Sequence, residues 1–334
     1  MRYPLGLVLD SARHLAARKL FGDGKCAVML SLEPLGSGCG SSENGATLSA
    51  EQCVTALNEC HTPIVVLCGR EPLEHPEIAT ISREILQRKR HLFLSTDGSQ
   101  IRRHLHMIPP YTNFFWNVRL DGTRDVHDKR LQRTGLFTEA IDGIKAAKNA
   151  GFFVIVTTTI YCDTDAEDVA NLYKLLHAMH VDGYVLTPHY PSEKLCRDGS
   201  AQFREKMHQR FRETCQRVSS YNLMMSPIYL EYLRGERELD CSAWGSPVYG
   251  PKGWCEPCSK HNVRFAKTYQ ELLEKTPWEN YGRGMNPRCE NCQCFDGYEP
   301  AALLGVNPKA GDLWKLLAWQ LSGSMGERRN GNAR

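Results

Sequence analysis

Six times between residues 26 and 188 a short apolar run breaks into the sequence, and helix-period segments fill most of the gaps. No other feature constrains the fold as strongly. The runs are CAVMLSLEPL (26–35), PIVVLCG (63–69), HLFLSTDG (91–98), NFFWNVRLDG (113–122), FFVIVTTTIY (152–161) and GYVLTP (183–188). They are rich in β-branched and aromatic residues and mostly close on Gly, Pro or Asp, as buried strands do. Among the intervening segments, one opens on the capping pair Ser49/Gln52 and another, 75–90, has Pro76 in its first turn. A third, 137–151, stops at Gly151. A fourth is capped by Asp165 and keeps a 3.6 period through Val169, Leu172, Tyr173, Leu176 and Met179. Parallel strands need a crossover of about a dozen residues or more, usually a helix. The alternation therefore predicts an α/β chain with a parallel sheet or a barrel.

Residues 5–21 predict a leading helix, with Leu5, Val8, Leu9, Ala12, Leu15 and Ala16 on one side, closing the bottom of the domain; a membrane-surface helix is the alternative. After Pro188 the regularity stops. Residues 191–300 combine a long charged helix, a short one near IYLEYLRG, and a stretch rich in Gly, Pro, Trp and Cys that reads as a separate module. The expected division is an N-terminal helix (1–23), a barrel (24–190), a Cys-rich module (191–305), and a short Leu/Trp helix with a polar, disordered tail (306–334). A net charge of +3 on 334 residues gives no reason to expect a nucleic-acid partner. The N-terminus has no long apolar h-region and no small-residue cleavage site, which predicts a cytoplasmic protein.

Without a secretory signal, fourteen cysteines read as reduced thiols or metal ligands. Cys26, Cys53, Cys60 and Cys215 fall in apolar-periodic segments, where a thiol packs as a small hydrophobe. Cys39, Cys68 and Cys162 each follow a strand, where they are either unconnected thiols or a nonstandard metal site. Cys255-x-x-Cys258 and Cys289-x-x-Cys292, with Cys241 and Cys294 nearby, have the pattern of a zinc or auxiliary iron–sulfur site that would staple a loop-rich module. His75 and His127 follow strand ends and read as local turn or cap groups. Asp121 reads as an acceptor of the backbone N–H groups of the turn that follows it. Trp244, Trp254, Trp278 and Tyr281, with the helix at 313–321, suit either a greasy mouth, a membrane surface or ordinary packing.

The order LEPL (32–35), CGREPLEHPEI (68–78), FFWNVRLDG (114–122) and PRCENCQCFDGYEP (287–300), together with DCSAWGSPVYGPKGW (240–254), resembles the radical S-adenosylmethionine (SAM) enzymes, and among them the adenosylhopene transferases of hopanoid biosynthesis. The resemblance runs from about Lys25 to Ala301. It implies a partial (β/α)6 radical SAM barrel with a Cys-rich, irregular C-terminal module. It also implies a [4Fe-4S] cluster in the loop after the first strand, SAM as cofactor, and 5′-deoxyadenosyl transfer to a hopene-like triterpenoid. Apart from the resemblance, contact with a membrane surface and with a partner enzyme are further expectations. By the same resemblance Gly69, Arg70, Glu71, Thr96 and Asn117 lie at the SAM site, and Glu71 is the residue to hold an amine. Cys39 and Ser95 occupy catalytic positions. Metal falls to Cys39 in the barrel and to Cys241, Cys258, Cys289 and Cys292 in the module.

The chain departs from the family pattern at three of these places. LEPL runs into Gly36-Ser37-Gly38-Cys39-Gly40, so one cysteine stands where the family's C-x3-C-x2-C motif has three. A cluster needs close to four ligands, and one thiolate does not supply them. Arg70 puts a cation into a motif that is otherwise Gly-Gly-Glu-Pro, blocking the site or pairing with an anion. Ser95 stands where the resemblance places a hydrogen-donating cysteine, and an O–H bond is too strong for that task. Three functions follow: a transferase of this family with impaired or altered catalysis, a silent relative that binds SAM, a lipid or a partner, and a platform built on the C-terminal metal.

Overall fold

The structure is a computed structural model that describes residues 2–21, 25–36, 46–190, 200–261 and 263–323. Its strands are β1 (Met29–Leu32), β2 (Ile64–Leu67), β3 (His91–Thr96), β4 (Phe114–Arg119), β5 (Phe153–Ile160), β6 (Gly183–Pro188), β7 (Val248–Gly250), β8 (Gly253–Glu256) and β9 (Arg264–Ala266). They form one sheet in the order β6-β5-β4-β3-β2-β1-β7-β8-β9. Pairing is parallel from β6 to β7 and antiparallel from β7 to β9. All six strands expected from the sequence are present in sequential order, which makes the first 190 residues an incomplete (β/α) barrel.

The helices are α1 (Leu5–Phe21), α2 (Ala50–Cys60), α3 (Ile78–Gln87), α4 (Ile101–His104), α5 (Arg124–Leu131), α6 (Leu136–Asn149), α7 (Ala166–Ala178), α8 (Ser200–Val218), α9 (Pro227–Leu233), α10 (Tyr269–Lys275), α11 (Phe295–Leu304) and α12 (Asp312–Ser322). Ser49 and Gln52 form the expected reciprocal capping box on α2, and Asp165 caps α7 through the Glu167 N–H. Helix α3 begins later than the sequence suggests. Pro76 follows a 3-10 turn at Pro72–Glu74 and precedes the first helical residue, Ile78.

Strand alternation sorts the barrel's two faces. Leu92, Leu94, Trp116, Val118, Val154 and Val156 join the main core beneath the helices. The opposite, concave face begins with Phe93, Phe115 and Phe153, whose rings stack at 4.5 and 5.5 Å. Leu7 of α1 and Met224 pack on that aromatic layer, and Tyr3 OH donates to Met224 O at 2.6 Å. The leading helix thus closes the floor of the barrel.

The Cys-rich module is continuous with the sheet. β1 pairs with β2 on one side and with β7 on the other, and Ser31 and Glu33 donate backbone N–H groups to Pro247 O and Tyr249 O at 3.0 and 2.9 Å. Glu59 of α2 secures the join, accepting from Trp254 Nε1 at 3.1 Å and Tyr269 N at 2.7 Å. Trp254 and Trp278 are core residues, and Trp244 stands edge-on to Trp278 at 5.4 Å, so packing accounts for these rings.

A second latch is Glu299 on α11, fully enclosed, which accepts from Ser226 N at 2.9 Å and Ser226 Oγ at 2.9 Å. Burial pushes its carboxyl up to about 7, against the lowering effect of both Ser226 bonds. In the unfolded chain this acid ionises near its ordinary value, so between about pH 4.5 and 7 the folded state binds the extra proton and stability falls as pH rises. Urea titrations at pH 4.5 and 7 should show the wild type losing about 3 kcal/mol more than Glu299→Gln over that interval. Parallel pH dependence in the two proteins would show that the carboxyl titrates normally.

Candidate functional site at the barrel mouth and the cysteine cavity

Above the aromatic floor the concave face turns polar. Asn117 bridges three strands, donating Nδ2–H to Ser95 Oγ at 3.0 Å and accepting from Thr157 Oγ1 at 2.7 Å. Ser95 and Asn117 are therefore in direct contact on the concave face. One layer higher, Arg119 donates to Asp121 at 2.9 Å and to Tyr161 OH at 3.1 Å, Asp121 also accepts the Thr159 N–H, and Tyr161 stacks on His189 at 4.5 Å. This Arg–Asp–Tyr–His group at the ends of β4, β5 and β6 was not found from the sequence. Single residues at three strand ends carry no local spacing signal.

Glu71 follows β2 and straps it to β3. Its Oε2 accepts from Thr96 Oγ1 at 3.0 Å and Asp97 N at 2.9 Å, while Oε1 accepts from Leu73 N at 3.1 Å. Desolvation raises its pKa, and the three bonds work in the opposite direction. Gly69 precedes it with φ +97°, and a Cβ there would lie 3.2 Å from Glu33 Cβ and 3.3 Å from Gly36 O. The left-handed φ and this close packing on Glu33 and Gly36 together call for glycine. The Arg70 side chain is exposed. Cys39 lies outside the described residues.

His75 and His127 are structural, as the sequence suggests. His75 Nε2 meets Leu48 O at 2.9 Å and Nδ1 accepts the Glu77 N–H, while buried His127 accepts the Asp121 N–H on Nδ1. Cys162 points away from the mouth, its sulfur 3.6 Å from Met207 Sδ on α8. It does not join Cys68, which stands near Glu33, Ser31, Asp296 and Lys260.

The module brings its assigned cysteines together. Cys241, Cys258, Cys289 and Cys292 line one cavity, walled by Trp244, Trp278 and Tyr298. Cys255 and Cys294 lie outside its lining, as extras. Burial pushes the Cys258 thiol up to about 12 and holds Cys241 well above its ordinary value, and the neighbouring sulfurs add to both shifts. Such thiols need a cationic partner to ionise, which is the chemistry of a metal or cluster site. His261 adds a ring nitrogen 3.1 Å from Cys289 Sγ and packs edge-on to Tyr281 at 5.4 Å. Burial works against the charge on Lys260, yet Cys294, Asp296, Cys292 and Cys258 together raise its pKa. Among the described residues no group of three or more His, Cys, Asp or Glu side chains stands in an arrangement that holds a metal ion.

Residues 26–176 match the model of the radical SAM superfamily. The barrel is a radical SAM domain. Residues 184–316 match a domain of unknown function, DUF3463, and supply the SPASM-like, cysteine-rich half. Solved structures similar to this radical SAM chain include Streptococcus suis SuiB bound to S-adenosylmethionine, at 12% identity and TM-score 0.54 over 72% of this chain and 62% of SuiB. SuiB bound to its precursor peptide SuiA matches at 13% identity and TM-score 0.57, over 83% and 69% of the two chains. Native anSMEcpe with bound AdoMet matches at 12% and 0.53, over 88% and 96%. A GTP 3′,8-cyclase of Pseudomonas fluorescens (strain Pf0-1) is 36% identical over 88 residues, 26% of either chain. The radical SAM chain thus aligns with about a quarter of that curated relative and with less than two thirds of the SAM-bound SuiB chain.

Removing the Glu71 strap leaves Thr96 Oγ1, Asp97 N and Leu73 N without their acceptor. Glu71→Ala is expected to lose about 1–3 kcal/mol in urea unfolding, whereas exposed Arg70→Ala should stay within about 0.5 kcal/mol of wild type. Equal effects of the two substitutions would contradict the strap.

Proposed function

We propose that this protein is a SAM-binding relative of the adenosylhopene transferases that holds a cluster in its C-terminal cavity and cleaves SAM weakly or not at all. The observation that carries the reading is the convergence of Cys241, Cys258, Cys289 and Cys292 on one enclosed cavity. Four thiols lining one cavity are the donor set of a tetrahedral zinc or of an iron–sulfur cluster, and the match of the barrel to the radical SAM superfamily favours the cluster. Bound there, such a cluster would supply one-electron chemistry and would staple a module built from three- and four-residue strands.

In the barrel, Gly69 lets the loop after β2 pack against Glu33 and Gly36, which sets the position of Glu71. Glu71 accepts three hydrogen bonds where an ionised carboxylate offers about four sites, so one direction remains for an amine. Asn117 and Ser95 line the concave face beneath it, and the stacked Phe93, Phe115 and Phe153 give an apolar floor compatible with a hopene-like ligand. The single cysteine of the first-strand loop and the hydroxyl of Ser95 are the reasons for placing radical cleavage low. The silent-relative reading, with SAM, lipid or a partner protein as the bound species, rests on these same residues.

After anaerobic reconstitution with iron and sulfide, the protein is expected to bind SAM in equilibrium dialysis and to form no more 5′-deoxyadenosine than a control without iron. The paramagnetic resonance signal of the reduced protein should be unchanged by SAM and absent from Cys289→Ala/Cys292→Ala. A SAM-responsive signal that survives in the double variant, accompanied by 5′-deoxyadenosine, would show that the barrel still builds a radical site.

A further inference from the structure

Helix α12 packs on the protein through Leu316 and Trp319 together with two buried polar groups. Asp312, 8% exposed, pairs with Arg237 at 3.0 Å, and Gln320, equally buried, donates Nε2–H to Tyr3 O at 3.1 Å. Its outer face is apolar, with Leu313, Trp314, Leu317 and Leu321 at 68, 75, 45 and 69% exposure. At 3.6 residues per turn these four and exposed Ala318 cover a continuous arc of about 140°. Contiguous exposed apolar surface of this kind marks a contact site more often than chance exposure.

A second helix extends the surface. Leu5 and Leu9, one turn apart on α1, are 55 and 43% exposed. The start of α1 is tied to the last turn of α12, with Arg2 N donating to Gln320 O at 3.0 Å and Arg2 Nε to Trp319 O at 2.8 Å. Tyr3 and Leu7 also pack at the barrel floor, so this face belongs to the end where the strands begin, opposite the mouth.

We propose that this face binds the surface of an anionic phospholipid membrane. Charge supports that occupant. The sequence after α12, SMGERRNGNAR (324–334), carries three arginines against one glutamate, and exposed Arg13 continues the Leu5–Leu9 row at the same four-residue spacing on α1. Apolar helix faces bordered by cations lie in the interface of anionic bilayers. Size argues against a second copy of the chain, since four side chains on an eleven-residue helix fall short of the about 800 Å² per partner that a stable protein interface takes. No helix among the described residues is long and apolar enough to cross a membrane, so the contact lies along the surface. The inference uses no residue of the mouth or the cysteine cavity and stands or falls apart from the proposed function.

Flotation of the full chain with phosphatidylcholine vesicles, with and without phosphatidylglycerol, tests it. The expected result is about tenfold more bound protein on the anionic vesicles, weakening as salt rises, and a loss of about tenfold in Leu317→Glu/Leu321→Glu. Unchanged thermal melting should show that the variant is folded; Leu313→Ser serves if it is not. Trp314→Phe should remove most of the blue shift in tryptophan emission on binding. Equal binding to both vesicle types, no flotation, or a dimer in light scattering that the glutamates dissociate would each overturn the proposal.

Discussion

The double pairing of β1 is the contact on which the rest of the molecule depends. A four-residue strand, buried throughout, accepts β2 on one edge and β7 on the other. An edge strand in an incomplete barrel exposes unpaired N–H and C=O groups. Here the module covers them, through bonds to Gly245, Pro247 and Tyr249, and that join fixes where the module sits. As a result the four-cysteine cavity stands next to the end of β2, where Cys68, Asp296 and Lys260 meet across the join.

The barrel itself is layered by strand alternation. Aromatic rings fill the floor, the Ser95–Asn117–Thr157 rung crosses the middle, and the Arg119–Asp121–Tyr161–His189 group sits at the top. Polarity thus increases toward the strand ends, where a polar cofactor is held in α/β chains, while the apolar floor stays sealed by α1. The Glu71 strap makes this mouth rigid on the β2–β3 side, because one side chain serves two backbone amides and a hydroxyl.

Much of this was legible in the sequence because it is local. The six strands follow from apolar runs, α2 and α7 from their capping residues, and Cys258, Cys289 and Cys292 from C-x2-C spacing, whereas Cys241 in place of Cys255 came from the family resemblance alone. The resemblance also pointed to Glu71 and Asn117, though not to the bonds they make. What was not legible is long-range or too short to have a period. Strands β7 to β9 span three or four residues, so their pairing with β1 left no pattern, and the module read as a separate unit. The Arg–Asp–Tyr–His group draws on three strand ends, and His261 and Lys260 acquire meaning only beside Cys289, Cys292 and Cys294. The apolar character of α12 was visible as a Leu/Trp helix, but which of those residues stay exposed required knowing which side faces the protein.

The central claim, that four cysteines hold one polynuclear cluster, is tested most directly by native mass spectrometry of the anaerobically reconstituted protein. The account expects one mass increment per chain equal to a single iron–sulfur cluster, lost in Cys258→Ala and unaffected by Cys39→Ala. An increment of one zinc ion, or an iron–sulfur increment that persists in Cys258→Ala, would contradict it.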